Sequence, residues 1–279
     1  MRPILFEIPI PFLETSIPIS AYGTMLSLSL IIGIYLASRN ARKQGLDELK
    51  VLTACIWGVV FLIIGARVFF IIQHYPRYLA DPMRILRVWK GGLVFYGGLI
   101  GGVAASVIYM RINRISVGKF VDAFTPTIPL GLFLTRIGCF LNGCCYGKVS
   151  ELSWAVQYPQ GSRVFNAQLD QGLIEATREL SLPVHPTQLY SSLNGLMLFL
   201  IVTYWARRKS FDSELFWGFC LFYSIARFIL EFFRGDQSQT YLFSLTVPQL
   251  VSIPLGILAI GFLAYGYRKV SKSDRVNVT

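Results

Sequence analysis

Charged residues are scarce in this chain of 279 residues, where Asp, Glu, Lys and Arg together make up 15% of the sequence. A soluble globular domain has about a quarter of its residues charged, so an ordinary soluble fold is excluded. The charges that are present lie in short runs between long apolar stretches, which is the pattern of a membrane protein. The 21 Phe and 14 Tyr residues exclude a disordered chain.

Acidic residues are the scarcer of the two signs, with 15 Asp and Glu against 26 Lys and Arg, and the net charge is +11. The basic residues lie at the ends of apolar stretches and not in a polar stripe interleaved with aromatic residues. We therefore expect this positive charge to face membrane lipids with anionic headgroups. We expect no binding of nucleic acid.

Histidine is nearly absent, with two residues, and cysteine occurs five times. Cys139, Cys144 and Cys145 lie within seven residues, but their C-x4-C-C spacing is not that of a structural zinc site. We therefore expect no metal, while a disulfide between any two of these three cysteines is left open. The sequence also lacks the G-x-x-x-x-G-K-[ST] motif of nucleotide binding, and we expect no cofactor.

Seven apolar segments are long enough to form membrane-spanning helices, which need about 20 mostly apolar residues each. They run approximately over residues 19–38, 51–73, 93–110, 121–141, 188–206, 214–233 and 246–267. We predict an all-α integral membrane protein with seven transmembrane helices in one domain, residues 1–267. The polar segment 142–187 is predicted to form a small extracytoplasmic cap within that domain, and residues 268–279 form a tail.

The distribution of Lys and Arg predicts the orientation of these helices. On one side of the membrane lie the loops after the first, third and fifth helices and the C-terminal tail, with 14 basic residues in total. The opposite side carries nine. Short loops rich in Lys and Arg remain in the cytoplasm. The N-terminus is therefore predicted outside and the C-terminus in the cytoplasm, which requires an odd number of spans.

Four charged residues fall inside the apolar segments: Arg67, Arg136, Arg227 and Glu231. A charge at the centre of the membrane costs roughly 2.5–3.5 kcal/mol on insertion scales, so each is expected to face a cavity or a partner. Function is the leading interpretation for these residues. The alternative, most relevant to Arg67, is an ion pair that holds helices together.

The sixth segment places Tyr223, Arg227, Glu231 and Arg234 on one helical face, at positions i, i+4, i+8 and i+11. Arg227 and Glu231 are spaced to form an ion pair, and a guanidinium group suits bidentate contact with a phosphate. For Arg234 the alternative is a side chain that extends to the membrane interface from the helix end.

Two glycine-rich stretches accompany these charges. GGLVFYGGLIGG contains Tyr96, Gly97 and Gly98, and such small residues allow a neighbouring helix or a lipid to approach the backbone. TRIGCFLNGCCYGK begins at Thr135 and carries Asn142 and Gly147 beyond Arg136. Glycine at this density and at membrane depth indicates irregular backbone that lines a cavity.

The combined motifs resemble the bacterial phosphatidylglycerol–prolipoprotein diacylglyceryl transferases. The matching stretches, in the order of that family, are AYG at Tyr22, GGLVFYGGLIGG, VDAFTPTIPLGLFLTRIGCFLNGCCYGK, HPTQLY and YSIARFILEFFRGD. The resemblance implies a seven-helix enzyme of the bacterial cytoplasmic (inner) membrane with its active site near the outer leaflet. It implies transfer of the diacylglyceryl group of phosphatidylglycerol to the lipobox cysteine thiol of a preprolipoprotein, which forms a thioether and releases glycerol 1-phosphate.

The resemblance also assigns residues. Arg136 and Arg227 would grip the phosphate as catalytic residues. Tyr96 stands where many members have a histidine that has been proposed as the base. The remaining substrate-binding candidates, from the resemblance and from the glycine pattern, are Tyr22, Gly97, Gly98, Asn142, Gly147, Glu231 and Arg234.

Two other functions remain open from the sequence. Intramembrane charges and glycine-broken helices also suit a phospholipid transporter or flippase. A non-catalytic relative that binds phospholipid is the second, because Tyr96 and Cys139 depart from residues common in the family.

Overall fold

The computed structural model describes residues 3–10, 15–80, 83, 85, 91–236 and 244–276. Within these residues the chain is mostly helical, with one short two-stranded sheet near its N-terminus. In chain order the elements are β1 (Ile4–Ile10), β2 (Thr15–Ser20), α1 (Ala21–Lys43), α2 (Glu48–Gln73), α3 (Tyr75–Ala80), α4 (Phe95–Ile112), α5 (Val117–Phe124), α6 (Thr127–Asn142), α7 (Arg163–Asp170), α8 (Thr187–Trp205), α9 (Glu214–Glu231) and α10 (Val247–Val276).

Four helical segments of the described chain are long and apolar enough to cross a membrane: Ala21–Lys43, Glu48–Gln73, Val117–Asn142 and Val247–Lys272. The apolar helix Tyr96–Ile112 is shorter. Large apolar side chains are exposed on these helices; Ile31 is 68% and Ile257 is 65% exposed, as expected for side chains that contact lipid. The prediction of a mostly helical chain with apolar spans is confirmed, and the number of seven spans stays a prediction.

Each of the seven apolar segments found in the sequence coincides with helix. The fourth segment is built from two consecutive helices, α5 and α6, and each of the others contains one long helix. Helix α10 continues to Val276 and so extends into the tail predicted from residue 268.

The sheet lies outside the all-α prediction. Strands β1 and β2 pair antiparallel, with Ile8 opposite Ile17 and Pro9 opposite Ser16. Proline is tolerated here because both strands of a two-stranded sheet are edge strands, which leave one side of the backbone unpaired. The prolines hid the strand pattern in the sequence, and the sheet leads directly into α1 through a hydrogen bond from Ala21 N to Pro3 O of 2.8 Å.

Contacts divide the chain into two compact units, Met1–Gly33 with Thr125–Thr279 and Ile34–Phe124. The first unit contains α6 to α10, with α6 packed on α8, α8 on α9, and α9 on α10. Buried Glu214 ties α8, α9 and α10 together, because its carboxylate accepts hydrogen bonds from Trp205 Nε1 at 2.8 Å and Tyr267 OH at 2.6 Å. A second small core in this unit, built on Tyr158, Val164 and Val184, lies in the segment predicted as the cap.

In the second unit α2 packs along α4. Asp47 caps the N-terminus of α2, because its side chain accepts hydrogen bonds from Leu49 N and Lys50 N. Arg67 of α2 is buried, and its guanidinium group donates to the backbone carbonyls of Ile85, Gly91 and Gly92 at 2.7–3.1 Å. These contacts with backbone carbonyls favour a structural role for Arg67.

The α2–α4 contact depends on glycine. A Cβ atom on Gly97 would lie 2.5 Å from the carbonyl oxygen of Gly65, and one on Gly101 would lie 2.5 Å from that of Phe61. Gly98 is equally enclosed, since its Cβ would lie 2.9 Å from Leu62 O. Because backbone atoms cannot move aside as flexible side chains can, these glycines permit the close approach of the two helices.

We therefore expect Gly97→Ala and Gly101→Ala each to destabilise the protein by about 1–3 kcal/mol, the usual cost of overpacking a tight contact. Thermal unfolding of the purified protein in detergent measures the effect. Gly261→Ala is the matched control, because a Cβ atom there meets no atom within 4 Å and alanine favours the helix. Equal unfolding temperatures for all three variants would contradict the packing argument.

Candidate active site

Helices α6, α8 and α9 of the first unit enclose a pocket that contains two of the arginines singled out in the sequence. Arg136 comes from α6 and Arg227 from α9, with leucines as the apolar part of the lining. Among the described residues, the lining consists of Leu132, Arg136, Ser191, Asn194, Tyr223, Arg227 and Leu230. The structure thus brings Arg136 and Arg227 to one cavity, as expected if both contact the same ligand.

The close packing of α6 on α8 positions this pocket. A Cβ atom on Gly195 would lie 2.8 Å from Phe133 N and 2.9 Å from Pro129 O, so only glycine fits between the two backbones. The hydroxyl group of Ser192 donates to Phe133 O at 3.0 Å across the same contact. Ser191 and Asn194, on the neighbouring positions of α8, are thereby held against the pocket.

Arg227 and Glu231 form the ion pair that their spacing predicted. Arg227 NH1 lies 2.7 Å from Glu231 Oε2, with the two side chains 14% and 1% exposed. Thr246, at the start of the last helix, donates to Glu231 Oε1 at 3.0 Å. Each carboxylate oxygen of Glu231 thus has a neighbour, with Arg227 beside Oε2 and Thr246 bonded to Oε1.

Arg234 is held beside this pair by a different carboxylate. Its Nε and NH2 groups donate to Asp236 Oδ1 and Oδ2 at 3.0 and 2.8 Å, a bidentate contact, while Nε lies 3.8 Å from Glu231 Oε2. Arg234 is buried. Its side chain is therefore held inside the protein and does not simply extend from the helix end to the membrane interface. Burial acts to lower the pKa of Arg234, but the negative charge of Asp236 and its hydrogen bond to Arg234 act in the opposite direction, and the pKa is raised.

Gly147 joins the Arg234 segment to the start of α8. It forms a β-bridge with Arg234, and its N–H group donates to His185 O at 3.0 Å. A Cβ atom on Gly147 would lie 2.5 Å from His185 Cβ and 2.8 Å from Phe233 O. No other residue fits this junction, which explains Gly147 as a requirement of backbone packing within the site.

Arg136 differs from the other two arginines, because it has no counter-ion within the part of the chain that the structure describes. Among the residues that the structure describes, no carboxylate lies within 4 Å of its guanidinium group, whereas Glu231 and Asp236 neutralise Arg227 and Arg234. Three guanidinium groups and two carboxylates leave this cluster with one net positive charge. A net charge of this sign is complementary to an anion.

The segment after Arg136 turns back sharply at the end of α6. Gly143 adopts the left-handed conformation with φ 67°, and its N–H group caps the helix on Cys139 O and Phe140 O. The next two carbonyls are held by α8, because Gln188 Nε2 donates to Cys144 O at 2.9 Å and Thr187 Oγ1 donates to Cys145 O at 2.8 Å. Asn142, the last helical residue, is fixed by this turn.

The turn also assembles the three neighbouring cysteines. The sulfur atoms of Cys139, Cys144 and Cys145 all lie within 4.8 Å of one another, and all three cysteines are free thiols. Hydrogen bonds from the Cys139 and Cys144 thiols lower the pKa of Cys145, and the positive charges of Arg136 and Arg234 lower it further against the opposing effect of burial.

Tyr22 approaches the same turn from α1. A Cβ atom on Gly138 would lie 3.1 Å from Tyr22 Cα and 3.0 Å from Met25 Cβ, so α1 and α6 cross at this glycine. Tyr22, Arg136, Asn142, Gly147, Arg227, Glu231 and Arg234 all belong to the first unit. Their roles toward a ligand stay predictions.

Tyr96, Gly97 and Gly98 belong to the second unit, at the N-terminal end of α4. Tyr96 is 52% exposed, and both glycines are buried against α2. Helix packing accounts for the two glycines, and contact with a substrate stays a prediction for all three residues.

Sequence reasoning missed several polar residues of the site. Asp236, Thr246, Thr187, Ser191 and Asn194 support or line it. Ser191 and Asn194 could have been found, because polar residues at i and i+3 of an apolar segment share one helical face. Thr246 gave no such signal, since its partner Glu231 is 15 residues away.

Comparisons of the sequence with known proteins show the family of this chain. A sequence model of the family described as prolipoprotein diacylglyceryl transferase matches residues 4–265. A Proteus mirabilis protein named phosphatidylglycerol–prolipoprotein diacylglyceryl transferase is 34% identical, covering 97% of this chain and 96% of its own length. Proteins of the same name from Thermus thermophilus and Geobacter sulfurreducens are 32% and 33% identical, covering 91% and 86% of this chain and 95% and 87% of theirs. Because these matches extend over nearly the whole chain, the protein belongs to the prolipoprotein diacylglyceryl transferase family.

Proposed function

We propose that this transferase moves the diacylglyceryl group of phosphatidylglycerol to the lipobox cysteine thiol of a preprolipoprotein. Membership of the family supports the reaction. The structural observation that carries the assignment of residues is the shared pocket of Arg136 and Arg227, in which Arg136 has no carboxylate partner among the described residues.

The reaction forms one bond and breaks one. The cysteine sulfur attacks the glyceryl carbon that bears the phosphate, so a C–S bond forms and the C–O bond to the phosphate breaks. Glycerol 1-phosphate leaves with the electron pair of that bond, and the thiol proton is lost to a base or to water. A free thiol has a pKa near 8.5, so a useful fraction of thiolate exists without strong assistance.

The arginines act on the leaving group. The phosphate gains negative charge as the C–O bond breaks, and preorganised guanidinium groups stabilise that charge more in the transition state than in the bound lipid. Arg136 supplies the unneutralised charge, while Glu231 holds Arg227 in a fixed orientation through a 2.7 Å contact. Tyr22, Asn142, Gly147 and Arg234 complete the surroundings of the headgroup, and this chemistry requires no cofactor.

We expect Arg136→Ala and Arg227→Ala each to lower kcat/KM by roughly 100-fold to 1000-fold, the usual effect of removing one donor that stabilises a developing anion. The assay incubates the purified protein with phosphatidylglycerol and a lipobox peptide and measures the peptide by mass spectrometry. The modified peptide gains the mass of one diacylglycerol minus water.

Arg178→Ala is the matched control, because Arg178 is an exposed arginine of the segment predicted as the cap. It removes the same charge away from the pocket and should retain the activity of the unaltered protein. Full activity in both pocket variants would remove the proposed phosphate clamp. The unaltered protein could also leave the mass of the peptide unchanged and exchange lipid in a counterflow assay. That pair of results would instead indicate a flippase.

Tyr96 is proposed to offer its hydroxyl group to the substrate, at the position where many relatives carry histidine. Tyr96→Phe is then expected to lower kcat/KM about 5-fold to 10-fold, since one net hydrogen bond contributes about 1 kcal/mol. Tyr109→Phe, in the same helix and packed in the core of the second unit, is the control. A Tyr96→Phe enzyme as active as the control would exclude a role for the hydroxyl group.

The same proposal places the chain in the bacterial cytoplasmic membrane with seven spans, the N-terminus outside and the C-terminal tail, residues 268–279, in the cytoplasm. The excess of Lys and Arg in the segments assigned to the cytoplasm supports this orientation. Residues 142–187 then form an extracytoplasmic cap on the catalytic domain, residues 1–267, near the site where phosphatidylglycerol and a preprolipoprotein meet.

Reporter fusions at the C-terminus test the orientation. Green fluorescent protein fused after Thr279 should be fluorescent, and alkaline phosphatase at the same position should be inactive because its disulfides do not form in the cytoplasm. The control fuses the same reporters within the predicted cap, after Gly172, where the pattern should reverse. Active phosphatase at the C-terminus would overturn the assignment of sides.

A further inference from the structure

The three cysteines at the end of α6 form a cluster that the transferase chemistry does not use. Cys139 is buried, Cys144 and Cys145 are partly exposed, and their sulfur atoms lie within 4.8 Å of one another. The linear spacing C-x4-C-C did not predict a metal site. The cluster exists because Gly143 and Cys145, with φ of 67° and 60°, reverse the chain and return two thiols to the last helical turn.

The backbone of this turn is held from outside the cluster. Thr187 and Gln188 bind the carbonyl oxygens of Cys145 and Cys144. A left-handed conformation at a residue other than glycine is unfavourable by about 1 kcal/mol or more, and here the contacts with α8 maintain it at Cys145. The contacts with α8 therefore hold the backbone in the conformation that brings the three sulfur atoms together.

We propose that Cys139, Cys144 and Cys145 bind one thiophilic d10 metal ion, such as Zn²⁺ or Cu⁺, through three thiolates. Thiolate groups select these soft ions over Mg²⁺ and Ca²⁺. Three sulfur ligands at a Zn–S distance of 2.3 Å are about 3.8 Å apart in tetrahedral geometry, so the thiols need only contract slightly. Binding of Zn²⁺ releases three thiol protons and leaves a complex with one net negative charge.

The surroundings compensate the charge of such a complex. Asn142 Nδ2 donates to Cys144 Sγ at 3.6 Å, and Arg136 lies in the same helix as Cys139, three residues before it. Donors of this kind, just outside the ligands, orient thiolates and tune a metal site. The partly exposed Cys144 and Cys145 give an ion access, while buried Cys139 closes the inner side.

The ligand set is incomplete within the described part of the chain, where no fourth His, Cys, Asp or Glu joins the group. Structural zinc sites are closed by four protein ligands, whereas sites with three protein ligands keep a position for water or another molecule. The proposed site is of the second kind, so its ion is exchangeable and accessible to added thiols and chelators.

The test uses the full chain, purified with reductant in detergent and then kept free of oxygen, with Co²⁺ as an optical probe for Zn²⁺. One equivalent of Co²⁺ should produce a thiolate-to-cobalt charge-transfer band in the near ultraviolet, and Zn²⁺ should abolish it. Cys139→Ser, Cys144→Ser and Cys145→Ser should each weaken binding at least about 100-fold. The control is the double variant Cys55→Ser with Cys220→Ser, which removes two buried thiols elsewhere and should bind as the unaltered protein does.

A second measurement needs no variant and so does not depend on how a variant folds. Alkylation of the native protein by N-ethylmaleimide, mapped by peptide mass spectrometry, should slow at least about 10-fold at Cys144 and Cys145 when one equivalent of Zn²⁺ is present. Alkylation of Cys55 and Cys220 should not change.

The outcomes separate cleanly and do not depend on transferase activity. Absence of a charge-transfer band, or binding that survives in the three single variants, overturns the proposal. A disulfide joining two of the three cysteines in protein taken from membranes with its thiols trapped also overturns it, because such a protein lacks the ligands. A failure of the transferase assay argues against the proposed function and does not affect the measured metal binding.

Discussion

Arg136, an arginine with no carboxylate partner among the described residues, lies inside an apolar helical framework. This is the constraint on which the rest of the structure depends. Placing a charge at membrane depth costs roughly 2.5–3.5 kcal/mol, and Arg136 does not recover this from a carboxylate among the described residues. An anion that entered the pocket would offset this cost. Ligand binding and stability are therefore linked, since an anion that binds the folded protein alone stabilises it in proportion to the logarithm of its concentration over Kd.

The neighbouring charges show why Arg136 is the exception. Arg227 is paired with the carboxylate of Glu231, and Arg234 with that of Asp236. Each of these two arginines therefore offers N–H donors to a ligand but adds little net charge. Glycine makes this density of charge possible. Gly147 and Gly195 allow backbones to meet at distances that no side chain permits, and the arginines and acids thereby come from different helices to one place. Helices in a membrane associate through close van der Waals packing and not through the hydrophobic effect, and small residues at the contacts permit this packing.

The sequence was most informative where a feature was local and periodic. Apolar segments predicted the helices, and the spacing of Arg227, Glu231 and Arg234 predicted their common face. Features that depend on backbone reversal or on distant partners were not accessible. The cysteine cluster arises from the left-handed residue Gly143, the Glu231–Thr246 contact joins distant positions, and Gly97 and Gly98 serve a helix contact that the motif alone could not separate from lipid binding.

The proposed metal site and the proposed phosphate pocket lie close along the chain, because Arg136 and Cys139 belong to the same helix. We therefore expect the charges of their two ligands to interact. With all three thiols protonated the cluster is neutral, and the pocket retains its single positive charge for a phosphodiester. With Zn²⁺ and three thiolates the cluster carries one negative charge, which opposes an anionic headgroup at the same guanidinium groups. Linkage requires the antagonism to be reciprocal, so a bound headgroup must weaken the metal by the same factor as the metal weakens the headgroup. If both proposals hold, the two ligands oppose each other without sharing an atom, because the negative charge of each lies near Arg136.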